Sequence, residues 1–137
     1  MKMKRYLDSS ILIEACLSRS PKFAAADALV NDSESWTSAH ALAESYATLS
    51  GDSRLRISPS DAAQMVSDLA EAITVRDLPV EDYRKVIATA PAKGIRGGAI
   101  YDALHAQAAR RCGCPEVHTL NVSHFHHVAP DLTVIGL

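Results

Sequence analysis

Three carboxylates and one carboxamide stand where this 137-residue chain can most easily build chemistry. Asp8 closes the apolar run "YLD", Glu44 lies within "AHALAESYATL", Asp102 follows the double glycine of "KGIRGG", and Asn121 follows "VHTL". Carboxylates gathered at one place repel one another unless a cation holds them. An oxygen set without cysteine, and without regular histidine spacing, suits a hard divalent ion such as Mg²⁺ or Mn²⁺ better than zinc. Such an ion activates water against a phosphodiester, so the four residues together point to metal-dependent phosphodiester hydrolysis.

Each acid also has a plain structural reading. Asp8 would serve as a helix cap, and Asp102 near a helix start would complement the helix dipole. Glu44 has no such alternative: Ser38 is the expected cap of its helix, and a capping box would need Glu or Gln where Ala41 stands. Glu44 falls on the stripe His40, Glu44, Thr48 beside an apolar face, and a carboxylate there calls for a partner.

The elements that must position these side chains follow from periodicity. Arg5 to Asp8 reads as a strand, followed by a helix through Ile11, Leu12, Ala15 and Cys16 with Ser9 or Ser10 as cap. A second helix runs through Phe23, Ala26, Leu29 and Val30 after Pro21. "SWTS", Ser35 to Ser38, is a strand before a helix with Ala39, Leu42, Ala43, Tyr46 and Ala47 on one face. "SPSDAAQMVSDLAEA" starts a further helix at Pro59 and Ser60, and Ile73 to Val75 is a strand. "LPVEDYRKVIATA" gives a helix stopped by Pro91, and Ala99 to Cys112 gives another, ended by Gly113. A strand from about Glu116 to Leu120, a connection "SHFHHVAPD" and a last strand from Leu132 to Ile135 complete the chain. Strands alternating with helices predict a parallel sheet covered on both faces, a three-layer α/β/α sandwich in one domain spanning 1–137. Ligands of such sheets bind at the carboxyl ends of the strands, which is where Asp8 and Asn121 fall and where the helices carrying Glu44 and Asp102 begin.

Composition narrows the partners. A net charge of −2 supplies no basic field for non-specific polyanion binding, so help must be local, from Lys2, Lys4 and Arg5, Arg54 and Arg56, Lys93 and Arg96, or Arg110 and Arg111. Two glycines at a helix start, with Lys93 and Arg96 beside them, would guide a substrate phosphate; a flexible loop with a helix-starting glycine explains them equally. Ser10 would hydrogen-bond a ligand or a carboxylate, or simply cap. His40 and His105 each lie about a turn from an acid, while His124 to His127 read as loop or surface residues and Trp36 as core. Cys16, Cys112 and Cys114 lack metal or redox spacing and read as ordinary reduced thiols. No signal peptide is expected, and no apolar stretch approaches the roughly 18 residues a membrane span needs, which points to a soluble, cytoplasmic protein.

Four stretches in order, "YLDSSILIEA", "TSAHALAESYATL", "GGAIYDALHAQAARRCGC" and "VHTLNVSHFHHVAP", resemble the four motifs of the PIN domain, and more specifically of the VapC-like ribonuclease toxins. The resemblance covers essentially the whole chain. It implies a divalent metal, endonucleolytic cleavage of RNA, a homodimer and a VapB-like antitoxin. Carried over residue by residue, it assigns Asp8 and Asp102 as metal ligands. Glu44 would hold the ion through water or orient the attacking water, and Asn121 would position a water on the ion. Many relatives have aspartate at the fourth position and some have another acid just before the Phe; here those places hold Asn121 and His124. Asn adds a carbonyl acceptor but no charge, so a second metal is expected to bind more weakly. Two other classes compete. One is a phosphatase or phosphoacceptor with Asp8 as nucleophile, disfavoured because Ser10 stands where a second Asp is wanted. The other is a PIN-like binding module whose weakened fourth position has cost it nuclease activity.

Overall fold

Strand β1 (Arg5–Leu7) lies at the centre of the computed structural model, which describes residues 3–137; Lys2 of the N-terminal basic cluster lies outside the described residues. After it come α1 (Ser9–Glu14), α2 (Phe23–Val30), β2 (Ser35–Ser38), α3 (Ala39–Gly51), α4 (Pro59–Ala72) and β3 (Thr74–Arg76). The second half supplies α5 (Val80–Thr89), α6 (Ala99–Cys112), β4 (Glu116–His118), α7 (Val122–Val128) and β5 (Thr133–Ile135). The strands form one parallel sheet of order β3-β2-β1-β4-β5, with helices on both faces, the expected three-layer α/β/α sandwich.

Successive residues of a strand face opposite sides of the sheet. Tyr6 and Leu7 demonstrate it: both are fully buried, yet Tyr6 joins a core with Leu104, Ala108, Val117 and Phe125, whereas Leu7 joins one with Ile11, Leu12, Ala41 and Leu69. A strand buried on both faces accounts for the unbroken "YL" where a half-exposed strand would alternate. Strand order reverses at β1, with β2 on one side and β4 on the other, so the switch-point crevice opens between the ends of β1 and β4.

Most elements lie within a residue or two of expectation, and α6 matches at both ends, with Gly113 (φ 73°) closing it in the left-handed conformation that favours glycine. Strand β4 is shorter than expected, ending at His118; Thr119, just past it, still donates its backbone N–H to Ile135 of β5 (2.9 Å) and directs its hydroxyl to Asp8. The first helix is capped by Asp8 itself, not by Ser9 or Ser10. The connection expected at "SHFHHVAPD" is a helix over Val122–Val128. Phe125 and Val128, one turn apart, are buried while the histidines between them face outward. The cysteines are free thiols, and burial pushes Cys114 up to about 12 and Cys16 up to about 11, so they remain protonated and unreactive.

Candidate functional site

Asp8 occupies the first position past β1 with only 2% of its surface exposed. Its Oδ1 accepts from the Ser10 backbone N–H (3.0 Å), the Ser10 hydroxyl (2.5 Å) and the Ile11 N–H (3.3 Å). Its Oδ2 accepts from the Thr119 hydroxyl (2.6 Å). Both donors are themselves anchored: Ser10 Oγ accepts from Leu120 N–H (2.9 Å) and Thr119 Oγ1 from Asn121 N–H (2.9 Å). Asp8 is therefore a cap and also the staple joining the ends of β1 and β4. Four donors satisfy its burial without an ion.

Glu44, on the second turn of α3, is half-buried. Its Oε1 lies 2.5 Å from His105 Nε2 and 3.6 Å from His40 Nε2. Burial alone would push this carboxyl up, but the hydrogen bond and charge of His105, with His40 and the Ser9 hydroxyl, outweigh it and hold the group below the usual carboxylate range. Asp102, in the first turn of α6, behaves oppositely. Burial drives it up; His105 and His124 oppose the rise, while the Asp8 and Glu44 carboxylates add to it. Its Oδ2 lies 3.8 Å from His124 Nδ1. Asp102 is thus the acid that feels both of the others.

Asn121 holds the cap position of α7, exposed, with no capping hydrogen bond from its side chain. Ser10 meets Asp8, as the sequence allowed. Lys93 is not brought to the acids: it lines a cavity of about 90 Å³ with Gln107 and Arg110, and its charge bears on Asp131. Arg96 is exposed in the turn before α6. Three further arginines of the basic clusters are paired, Arg54 with Asp52, Arg110 with Asp131 and Arg111 with Asp82. Trp36 is partly buried against the core, with the Lys4 ammonium 4.5 Å and the Arg76 guanidinium 5.3 Å from its ring centroid.

Sequence reasoning left Thr119 and Tyr6 without a role and marked His105 only as a residue within reach of the acids. Thr119 was visible only as the threonine two residues before the motif's polar position, Asn121. Tyr6 reads as an apolar strand residue, yet its hydroxyl meets Ser38 Oγ (2.8 Å) and His105 Nδ1 (2.7 Å). His105, 3% exposed, is the partner that Glu44 called for. The surface histidines His124 and His127 line, with Gly98, Ala99, Asp102 and Ser123, a cleft of about 500 Å³ beside Asp102.

The model for the PIN domain matches residues 5–129. The chain belongs to the PIN domain family. No curated protein sequence matches it. Solved structures with this fold include DNA-bound VapBC from Salmonella typhimurium, at 18% identity over 98% of each chain with a TM-score of 0.73. VapBC-1 from nontypeable Haemophilus influenzae is similar at 22% identity over 98% of each chain, with a TM-score of 0.69. VapC20 of Mycobacterium tuberculosis, a toxin that cleaves the sarcin–ricin loop, aligns at 15% identity over 83% of this chain and 87% of its own, with a TM-score of 0.66.

PIN nucleases typically use a divalent metal. Among the described residues no group of three or more His, Cys, Asp or Glu side chains stands within reach of a common ion. Mg²⁺ needs no such cage: it keeps most of its water and takes one or two carboxylates plus substrate phosphate oxygens. The all-oxygen donors at the switch point, and the electrostatic burden that Asp8 and Glu44 place on Asp102, match a hard cation in kind and in charge.

Proposed function

We propose that this PIN-domain protein is a divalent-metal-dependent endoribonuclease of the VapC type, the toxin of a type II toxin–antitoxin pair. The observation that carries the reading is the convergence of three acids from three separate elements, Asp8 just past β1, Glu44 on α3 and Asp102 in the first turn of α6, with Glu44 tied to α6 through His105. Asp8 and Asp102 would hold Mg²⁺ or Mn²⁺, with Glu44 acting through water. The ion supplies charge neutralisation at the scissile phosphate and a nucleophilic water at neutral pH.

The chain's own residues do the rest. Asp8 is locked by Ser10, Ile11 and Thr119, so its negative charge is preorganised rather than recruited. Glu44, kept ionised by His105, is suited to orient a water or accept its proton. Asn121, exposed at the same edge, offers a carboxamide to a water or a phosphate oxygen. Its neutral side chain favours one-ion chemistry, or a second ion recruited with the substrate. Arg96 and the glycines before α6 would steer the phosphate backbone; Lys93 would do so only from outside the acid cluster. The Asp8-nucleophile phosphatase reading loses ground, because both oxygens of that buried carboxylate already accept hydrogen bonds.

The single domain would work in the cytoplasm as a homodimer, its partner a VapB-like antitoxin, the kind of assembly formed by several neighbours of the same fold. Among the described residues no helix is long and apolar enough to cross a membrane. A second reading, a binding module without nuclease activity, is favoured by one observation: each acid already has a partner within the chain. Incubating the purified protein with total RNA, with Mn²⁺ or with chelator, separates the two. Cleavage that needs the ion and disappears in Asp102→Asn supports the toxin. Intact RNA together with a melting temperature indifferent to Mg²⁺ and Mn²⁺ supports the binding module.

A further inference from the structure

His105 lies at the centre of a buried circuit that begins and ends on α3. The Ala41 N–H donates to Ser38 Oγ (3.2 Å), capping α3; Ser38 Oγ meets the Tyr6 hydroxyl, which meets His105 Nδ1, while His105 Nε2 meets Glu44 on the same helix. Tyr6 is fully buried and Ser38 and His105 nearly so. With an ionised Glu44 the ring donates from Nε2; in the neutral ring Nδ1 accepts from Tyr6 O–H and the Tyr6 oxygen accepts from Ser38 O–H, while a protonated ring would instead donate from Nδ1 to the Tyr6 oxygen. In the neutral form hydroxyl and ring protons run one way along the path, each with an acceptor.

We propose, resting on the ribonuclease reading above, that His105 is a positioning residue: its Nε2–H fixes the Glu44 carboxylate toward the acid edge, and Tyr6 and Ser38 fix the ring that does so. Three features require more than a packing role. The contact joins residues 61 positions apart across α3 and α6, so no local turn creates it. The ring packs against Tyr6, His40 and Phe125, with centroids at 5.7, 5.8 and 6.4 Å, and is bonded at both nitrogens, which defines its orientation. Finally, His40 stands closer in sequence but 3.6 Å from the same oxygen, and its ring is occupied in stacking on Tyr101 (5.3 Å, 21°), so it is no substitute. Groups that orient a metal-site carboxylate from behind typically contribute 10–100-fold in affinity or rate.

The two ring nitrogens can be separated by substitution. His105→Asn keeps an amide near Nδ1 and loses reach to Glu44; His105→Gln extends an amide to the Nε2 position. Single-turnover cleavage of RNA and the Mn²⁺ concentration needed to raise the melting temperature are measured for wild type, both variants and Tyr6→Phe. Asn is expected to lower the cleavage rate and weaken Mn²⁺ binding, each by 10–100-fold, with the substrate KM unchanged. Gln restores most of both, and Tyr6→Phe falls between. Equal behaviour of folded Asn and Gln variants, or a loss confined to KM, overturns the proposal while leaving the ribonuclease reading standing. In the metal-free protein, a far-downfield ring N–H proton that vanishes in Glu44→Ala supports the contact, and its absence overturns it. If that proton is present but wild type neither cuts RNA nor binds Mn²⁺, the ribonuclease reading falls, and the positioning role with it.

Discussion

Thr119→Val tests whether Asp8 is held as rigidly as its contacts imply. The substitution is close to isosteric at a residue with no exposed surface, so it creates no cavity and acts through the hydroxyl alone. Asp8 would fall from four donors to three, losing the 2.6 Å bond to Oδ2, its link to the end of β4. A hydrogen bond to an ionised group contributes about 1.5–3 kcal/mol net. The Asn121 N–H loses its acceptor too, but that residue is exposed, so water replaces most of the bond. The expected cost is about 2 kcal/mol, or roughly 8 °C in melting temperature for a domain of this size. Calorimetry on the metal-free protein, repeated in an Asp8→Asn background, isolates the coupling, which should be about 1–2 kcal/mol. A loss below about 0.5 kcal/mol, or the same loss in both backgrounds, would show that Thr119 does not hold the carboxylate.

Two further perturbations have opposite signs. Asp102 has its carboxyl raised in the folded state, so ionising it opposes folding: the cost is present at neutral pH and is relieved as pH falls through the folded value toward the unfolded one near 4. Metal-free Asp102→Asn should therefore melt higher than wild type at pH 7 and level with it near pH 3, and the order at pH 7 should reverse once Mn²⁺ is added. Glu44 has its carboxyl lowered, so its stabilisation is present above the unfolded value near 4.3 and is lost as pH falls through the folded one. Glu44→Gln should melt below wild type at pH 7, with the gap closing below pH 4; a gap that persists at pH 3 would locate the effect in packing rather than charge.

Helix α6 was legible because its inward stripe of Ile100, Ala103, Leu104 and Ala108 is bounded by glycines at both ends, so periodicity and punctuation agree. Helix α7 was not: it has seven residues, three of them histidines, and only Phe125 and Val128 bury fully. Two buried positions cannot distinguish a helical period from a loop that happens to pack. Strand ends were soft for a related reason. Each strand here is three or four residues, and β3, at the sheet edge, has no fully buried residue to mark its register.

The site divides along the same physical line. Asp8 and Asp102 could be placed from sequence because each sits beside a strand end or a helix start, and topology carries such positions to the switch-point edge. Glu44 could be recognised as needing a partner, since Ser38 and Ala41 left it no capping role, but the sequence placed two histidines near the acids, His40 one turn before Glu44 and His105 almost one turn after Asp102, without choosing between them. The structure selects the distant one. His105 wins because its other nitrogen is pinned by Tyr6, whose hydroxyl reaches it only when β1 lies between β2 and β4 and α6 covers that face. The preference is set by which ring the fold immobilises: His105 is buried and bonded at both nitrogens, while His40 keeps a quarter of its side chain exposed and lends its face to Tyr101. A hydrogen bond gains most where its donor has already lost its freedom to the core.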